Sequence, residues 1–224
     1  MRRTYLALLF VVALTIPFAC SEPDNTGSGS GTEQGGNQTG GEDDGNDNGG
    51  DEVVTYAVGD YYKQGLAEGI VAYVDESGEH GLIVSIDEAT LQWATDYDML
   101  TIEGGEFSME DGSRNCKYIR EQEDWERIYP AVAWCHAKNA LGLSSWYLPA
   151  IYELETVYTG LEAINATLTK MGATPLSTGV NDSYWSSTEI GPMSAYAFSF
   201  HYGEIASYDY DKLNTHQVRA VRKF

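Results

Sequence analysis

The chain has 224 residues, three cysteines, and 13 Lys and Arg against 34 Asp and Glu, for a formal net charge of -21. That length fits one domain plus a tether. The charge excludes nucleic acid, which needs a Lys/Arg stripe against its phosphates. It disfavours sulfated polysaccharides for the same reason, and neutral glycans, proteins and cations stay open.

In chain order, Arg2 and Arg3 give a positive start and Tyr5 to Ala19 an apolar run. That pattern reads as a secretory signal peptide over residues 1–19. The run, roughly 15 residues, is shorter than the ~20 of a spanning helix. Ala19-Cys20 resembles the end of the lipobox of bacterial lipoproteins, although Pro17 and Phe18 depart from it. The resemblance implies lipid attachment at Cys20, an outer-membrane lipoprotein, and membrane contact through the anchor alone. Ser21-Glu22-Pro23-Asp24 resembles the Ser-plus-acidic export signal of Bacteroidetes lipoproteins, which implies exposure at the cell surface. Residues 20–52 are rich in Gly, Asp, Asn, Ser and Thr and lack aromatics, so burial cannot offset the entropy of ordering them. As a flexible coil of about 32 residues, this tether spans ~30 Å r.m.s. and reaches about 100 Å when extended.

The domain expected over 53–224 has 11 basic and 25 acidic residues, a net of -14. Tyr56 to Lys63 reads as a short strand or its lead-in. Gly69 to Val74 and Gly81 to Ile86 are apolar and β-branched around a turn at Asp75 to Glu79, the signature of a hairpin buried on both faces. From Asp87 to Gly112 the pattern weakens to a loop docked by Trp93, Tyr97 and Met99. Pro130 to Leu141 has helical spacing, with Ala131, Trp134, Cys135 and Leu141 on one side. A second helix begins after Pro149, with Glu153 and Glu155 in its early turns, breaks at Gly160 and resumes to Met171. Tyr196 to Tyr202 alternates like a strand, Gly203 permits a turn, and Glu204 to Tyr210 returns. Gln217 to Lys223 reads as a last strand. Two main helices between antiparallel strands make an α+β domain. Cys116 and Cys135 either form a disulfide, closing a loop of about 20 residues, or stay as two buried thiols.

Three ordered segments mark a family. Trp146-Tyr-Leu-Pro149 with Glu153-Leu154 fits W-x-L-P-x-x-x-E-L. Tyr184-Trp-Ser-Ser-Thr-Glu189 fits Y-W-S-S-T-E, and Val218-Arg-Ala-Val-Arg222 fits V-R-A-V-R. Together they resemble the DUF1566 family, the C-terminal domain of the Legionella collagen-like adhesin, and the similar Fibrobacter major paralogous domain of Bacteroidetes lipoproteins. The resemblance implies a C-type-lectin-like fold and an adhesin's role, but no known reaction. Its motif residues Trp146, Leu148, Pro149, Glu153, Trp185, Arg219 and Arg222 read as fold determinants. Each tryptophan can bury about 150–250 Å², and Ser186, Ser187 and Thr188 can satisfy backbone groups through their hydroxyls.

His80, His136, His201 and His216 are scattered and no G-x-S-x-G stands near them. Neither Cys-x-x-Cys nor H-E-x-x-H is present. The expectation is no enzyme, no cofactor and no transition metal. Calcium has possible oxygen ligands in Glu204, Asp209, Asp211 and Asn181-Asp182, against a solvated acidic face as the plainer reading. Tyr202, Tyr208 and Tyr210 beside Glu204, Asp209 and Asp211 suit a neutral sugar, whose C–H face stacks on rings and whose hydroxyls donate to carboxylates. The leading expectation is a surface-tethered, non-catalytic binding domain for a glycan or partner protein. The alternative is an accessory or tip subunit of an envelope or fimbrial assembly.

Overall fold

A computed structural model describes residues 54–97, 107–139, 145–206 and 211–224. The signal peptide, Cys20 and the tether lie outside the described residues, as do Met99, Leu141, Tyr208, Asp209 and Tyr210. The chain from Gly50 to Phe224 forms one compact unit.

Strands β1 (Tyr61–Gln64), β2 (Ala67–Val74) and β3 (Gly81–Val84) form an antiparallel meander. The apolar β2–β3 hairpin is there as its pattern predicts, and Ile70, Val71, Ile83 and Val84 are fully buried. Its turn is set by the Asp75 carboxylate, which accepts from the backbone N–H groups of Ser77 and Gly78. Next come β4 (Ala89–Gln92), α1 (Gly112–Arg120), α2 (Trp125–Ile128) and α3 (Pro130–Ala137). Pro130 opens α3 at a position whose N–H has no helical partner to lose. Helices α4 (Ile151–Thr159) and α5 (Leu161–Lys170) divide at Gly160, where the spacing predicts the break. Last are β5 (Tyr184–Gly191), β6 (Ser194–Ser199), β7 (Glu204–Ile205), β8 (Thr215–Val218) and β9 (Val221–Lys223).

The strands make two sheets in a mixed α+β fold. One has the order β1-β2-β3-β9, the other β4-β8-β5-β6-β7. Helices α4 and α5 pack on β2, and α4 also meets β5 and β6. The core between them includes Trp93, Tyr184, Trp185, Phe198, Leu148, Ile151 and Leu154, all fully buried. Trp146 and Trp185 are both in the core, at 7% and 0% exposure.

Four sequence expectations need correction. The stretch from Asp87 to Gly112 contains β4, and α1 follows it directly. Five helices, not two main ones, are present among the described residues. The β6 strand stops at Ser199, and Phe200 to Gly203 turn instead of continuing the alternation. The last strand is two strands in two different sheets: β8 pairs with β4 and β5, whereas β9 pairs with β3. Arg219-Ala220 is the crossing point, held by Ser85 N–H donating to Ala220 O at 2.9 Å and Ala220 N–H donating to Ser85 Oγ at 3.2 Å.

Candidate functional site

The motif carboxylate Glu153 sits at the third position of α4, 7% exposed. Its Oε2 accepts from the backbone N–H of Ala150 at 2.8 Å and of Gly112 at 3.1 Å. Its Oε1 accepts from the Tyr147 hydroxyl at 2.7 Å. One side chain thus caps its own helix and ties down the first residue of α1. Burial raises its pKa, against the opposing pull of those three donors. Gly112 allows the approach: a Cβ there would lie 2.5 Å from both Ala150 N and Leu148 O.

The second motif supplies bonds along β5. Trp185 Nε1 donates to Leu91 O at 3.0 Å, and Trp93 Nε1 donates to Ser186 O at 2.8 Å. Ser186 Oγ donates to Tyr196 O at 2.7 Å. Ser187 N–H donates to Pro149 O at 2.7 Å, while Ser187 Oγ accepts from Asn115 Nδ2 at 3.2 Å. Thr188 Oγ1 donates to Ser108 O at 2.9 Å and accepts from Ile151 N–H at 3.2 Å. The Ser186 and Thr188 hydroxyls serve backbone groups, as their chemistry predicts, whereas the Ser187 hydroxyl serves the Asn115 side chain. Glu189 forms a buried ion pair with Lys212, whose ammonium lies 4.6 Å from the centre of the Trp93 ring.

In the third motif Arg219 is 1% exposed. Its Nη1 donates to Ser85 O at 3.0 Å and Ile86 O at 2.7 Å, and its Nη2 to Glu88 Oε2 and Thr174 O, both at 2.8 Å. The Tyr184 hydroxyl donates to the same Glu88 oxygen at 2.9 Å. Arg222 Nε donates to Ser145 Oγ at 3.0 Å. Leu148 is fully buried and Pro149 buried beside it. Cys116 and Cys135 are free, buried thiols, so of the two states open to that pair the structure has the unbonded one. Burial pushes the Cys116 thiol up to about 12 and the Cys135 thiol well above its ordinary value, which leaves neither a ready nucleophile.

Of the residues expected to bind a ligand, the structure describes Tyr202, Glu204 and Asp211, and it does not bring these three together. Tyr202 and Glu204 are exposed at the β6–β7 turn, where Gly203 takes φ +70° and Ser199 pairs with Glu204. Asp211 bridges Ser194, at the opposite end of β6. Five residue steps along a strand separate those ends by about 17 Å. Asp211 is also engaged, accepting from the Tyr97 hydroxyl at 2.7 Å and from Leu213 N–H at 2.9 Å. Asp211 therefore stands apart from the Tyr202–Glu204 turn, while Tyr208, Asp209 and Tyr210 of the expected set lie outside the described residues. Asp182 accepts from Ser177 Oγ. Among the described residues no three His, Cys, Asp or Glu side chains gather to hold a metal.

Residues 83–222 match the Lcl C-terminal domain family. The chain belongs to that family. Its fold is similar to that of a fimbrial protein from Bacteroides ovatus ATCC 8483, with a TM-score of 0.51 and 18% identity over 65% of this chain and 36% of that one. At this identity the likeness is one of fold, and the chain spans about a third of the fimbrial protein's length. No curated protein matches it.

Seen across the Lcl domain, most motif side chains face inward, while Trp146 and Glu153 also border concave surface. One groove of about 240 Å³ opens between α1 and α3 and is walled by Val132 and Trp146, with Arg120, His136 and Asn139 among its polar lining. A second, of about 400 Å³, is lined by Tyr73, Asp75, Glu110, Lys223 and Phe224. Sequence reasoning found neither, because α1 was not legible and both grooves join residues far apart in the chain. Glu88, Asn115 and Lys212 were missed for the same reason.

Proposed function

We propose that this chain is a lipid-anchored, surface-exposed lipoprotein whose Lcl domain is a non-catalytic binding module with a C-type-lectin-like fold. It recognises a neutral glycan or a partner protein. The observation that carries this reading is membership of the Lcl C-terminal domain family across 83–222. The geometry agrees with it: the family motifs build a scaffold and leave loops and turns, with Tyr202 58% exposed beside exposed Glu204, to meet a ligand. An aromatic face next to a carboxylate suits a sugar's C–H face and hydroxyls. A glycan array probed with residues 53–224 tests it. Retention on neutral glycans that is lost in Tyr202→Ala is the expected result, and silence on every neutral glycan removes the glycan version.

The second reading, a subunit of an envelope or fimbrial assembly, is favoured by the fold likeness to the fimbrial protein. Affinity isolation of the full-length chain from detergent-solubilised envelopes separates the two. A stoichiometric assembly favours the subunit, and an isolated monomer counts against it.

A further inference from the structure

The groove between α1 and α3 differs chemically from the rest of this acidic domain. None of its lining residues, among the described residues, is Asp or Glu. It has Arg120, His136, Asn139, Ser113 and Ser145 as polar groups, with Val132 and Trp146 as apolar wall. The larger groove at the chain end is instead lined by Asp75, Glu110 and Glu153. Arg120 is exposed and pairs with no carboxylate among the described residues. Its Nε donates to Cys116 O at 3.2 Å, which fixes the guanidinium on α1 and leaves it turned to a partner from outside.

The histidine beside it is set in one state. Two donor groups face His136 Nδ1: Asn139 Nδ2 at 3.2 Å and Arg120 Nη1 at 3.5 Å. Neither can accept a hydrogen bond, so Nδ1 presents its lone pair and the ring proton resides on Nε2. Asn139 is itself locked, donating to Trp146 O at 2.9 Å and accepting from the N–H groups of Ser145 and Trp146. The Trp125 ring meets His136 edge-on at 5.3 Å. The groove is therefore preorganised with donors, one full positive charge and an indole wall. Its volume lies below the ~300–1,000 Å³ of drug-sized sites, which suits one sugar residue and not a longer chain.

We propose that this groove binds the carboxylate of an acidic monosaccharide, a uronic or sialic acid residue, with Arg120 as the anion's partner. A guanidinium fork matches a planar carboxylate in two parallel bonds, and the pyranose ring sits at the groove mouth, over the small part of Trp146 that stays exposed. The site is separate from the Tyr202–Glu204 turn, so either can fail alone.

The test is an NMR titration of residues 53–224 with glucuronate and with N-acetylneuraminate, following the His136 ring and the Trp146 indole. Saturable shifts with a Kd on the order of 1 mM for at least one acid are expected. Which of the two binds tighter identifies the sugar. Glucuronate methyl ester and the variant Arg120→Gln should each weaken binding roughly tenfold or more. Arg120 is exposed, so the variant keeps the wild-type melting temperature, which separates lost binding from lost fold. Tyr202→Ala should bind as wild type. No saturable shift with either acid overturns the proposal, as does an ester that binds like the acid or an Arg120→Gln variant that binds unchanged. Tighter binding of glucose 6-sulfate than of glucuronate overturns it too, because the groove then selects charge and not a carboxylate.

Discussion

Glu153 is an acid used as a structural acceptor, and its chemistry makes stability depend on pH in a direction the burial fixes. Its folded pKa is raised above the ordinary 4.5. The folded chain therefore holds this proton to higher pH than the unfolded chain does. The stability this group contributes is full below the unfolded value and is lost as pH rises through the folded one. Glu153→Gln keeps an acceptor for the Ala150 and Gly112 N–H groups but cannot ionise. Urea unfolding of the two proteins from about pH 4 to about pH 7 should show the glutamine variant gaining on the wild type as pH climbs. Curves that stay parallel would show that the carboxyl titrates alike in both states. Glu153→Ala instead orphans both N–H groups, at about 1–3 kcal/mol for each. Arg219 is the matching case among cations. Truncation to Ala strips three carbonyls and Glu88 of their donor. Glu88 keeps some contact with solvent, so the loss should fall at or below the low end of the about 3–5 kcal/mol that breaking a fully buried pair costs. Arg219→Lys should recover only part of that in the same urea measurement, since an ammonium lacks the planar fork.

At the scale of elements, Gly112 decides how α1 meets α4. A methyl group there would press within 2.5 Å of backbone atoms at Leu148 and Ala150 and within 2.8 Å of Glu153 Oε2. Backbone cannot swing away, so Gly112→Ala should destabilise by about 1–3 kcal/mol, seen as a lower melting temperature. A variant that melts with the wild type would mean the two helix starts are not in contact. The same helix shows where sequence reading stops. The β2–β3 hairpin and the α4–α5 pair were legible because local pattern and turn chemistry agree over each run. Helix α1 was not, since two of its four buried residues are Gly112 and Asn115, which no apolar periodicity registers. Asn115 is buried because its amide serves Ser108 and Ser187, partners known only once the fold exists. The β8–β9 break was hidden for the opposite reason. Val218, Ala220 and Val221 are all buried, so the run reads as continuous although the chain changes sheets at Arg219. The motif residues of the candidate site were visible as types, but their partners were not: Glu88 and Arg219 stand 131 residues apart. The separation of Asp211 from Tyr202 and Glu204 was not legible either, because it depends on β6 ending at Ser199 and on Asp211 bridging the other end of that strand.

For the whole molecule, the sequence assigns its three cysteines to two kinds of chemistry, and the two can be read in one experiment. Cys20 is expected to be acylated, and the Lcl domain is then left with Cys116 and Cys135. Both are buried and free, on neighbouring elements α1 and α3, and their raised pKa values keep them as thiols at neutral pH. A maleimide needs an accessible thiolate. The full-length chain made in cells should fractionate with membranes and incorporate labelled palmitate, and Cys20→Ala should lose both properties. In that unanchored variant, intact mass after maleimide treatment should show no adduct on the folded protein and two adducts in urea without reductant. Two adducts only after reductant would mean that export oxidises the pair into a disulfide, which changes the domain's unfolded state and raises its stability by about 3 kcal/mol on the chain-entropy account. Palmitate incorporation that survives Cys20→Ala would place the anchor at another residue and remove the lipobox reading, leaving the domain's fold untouched.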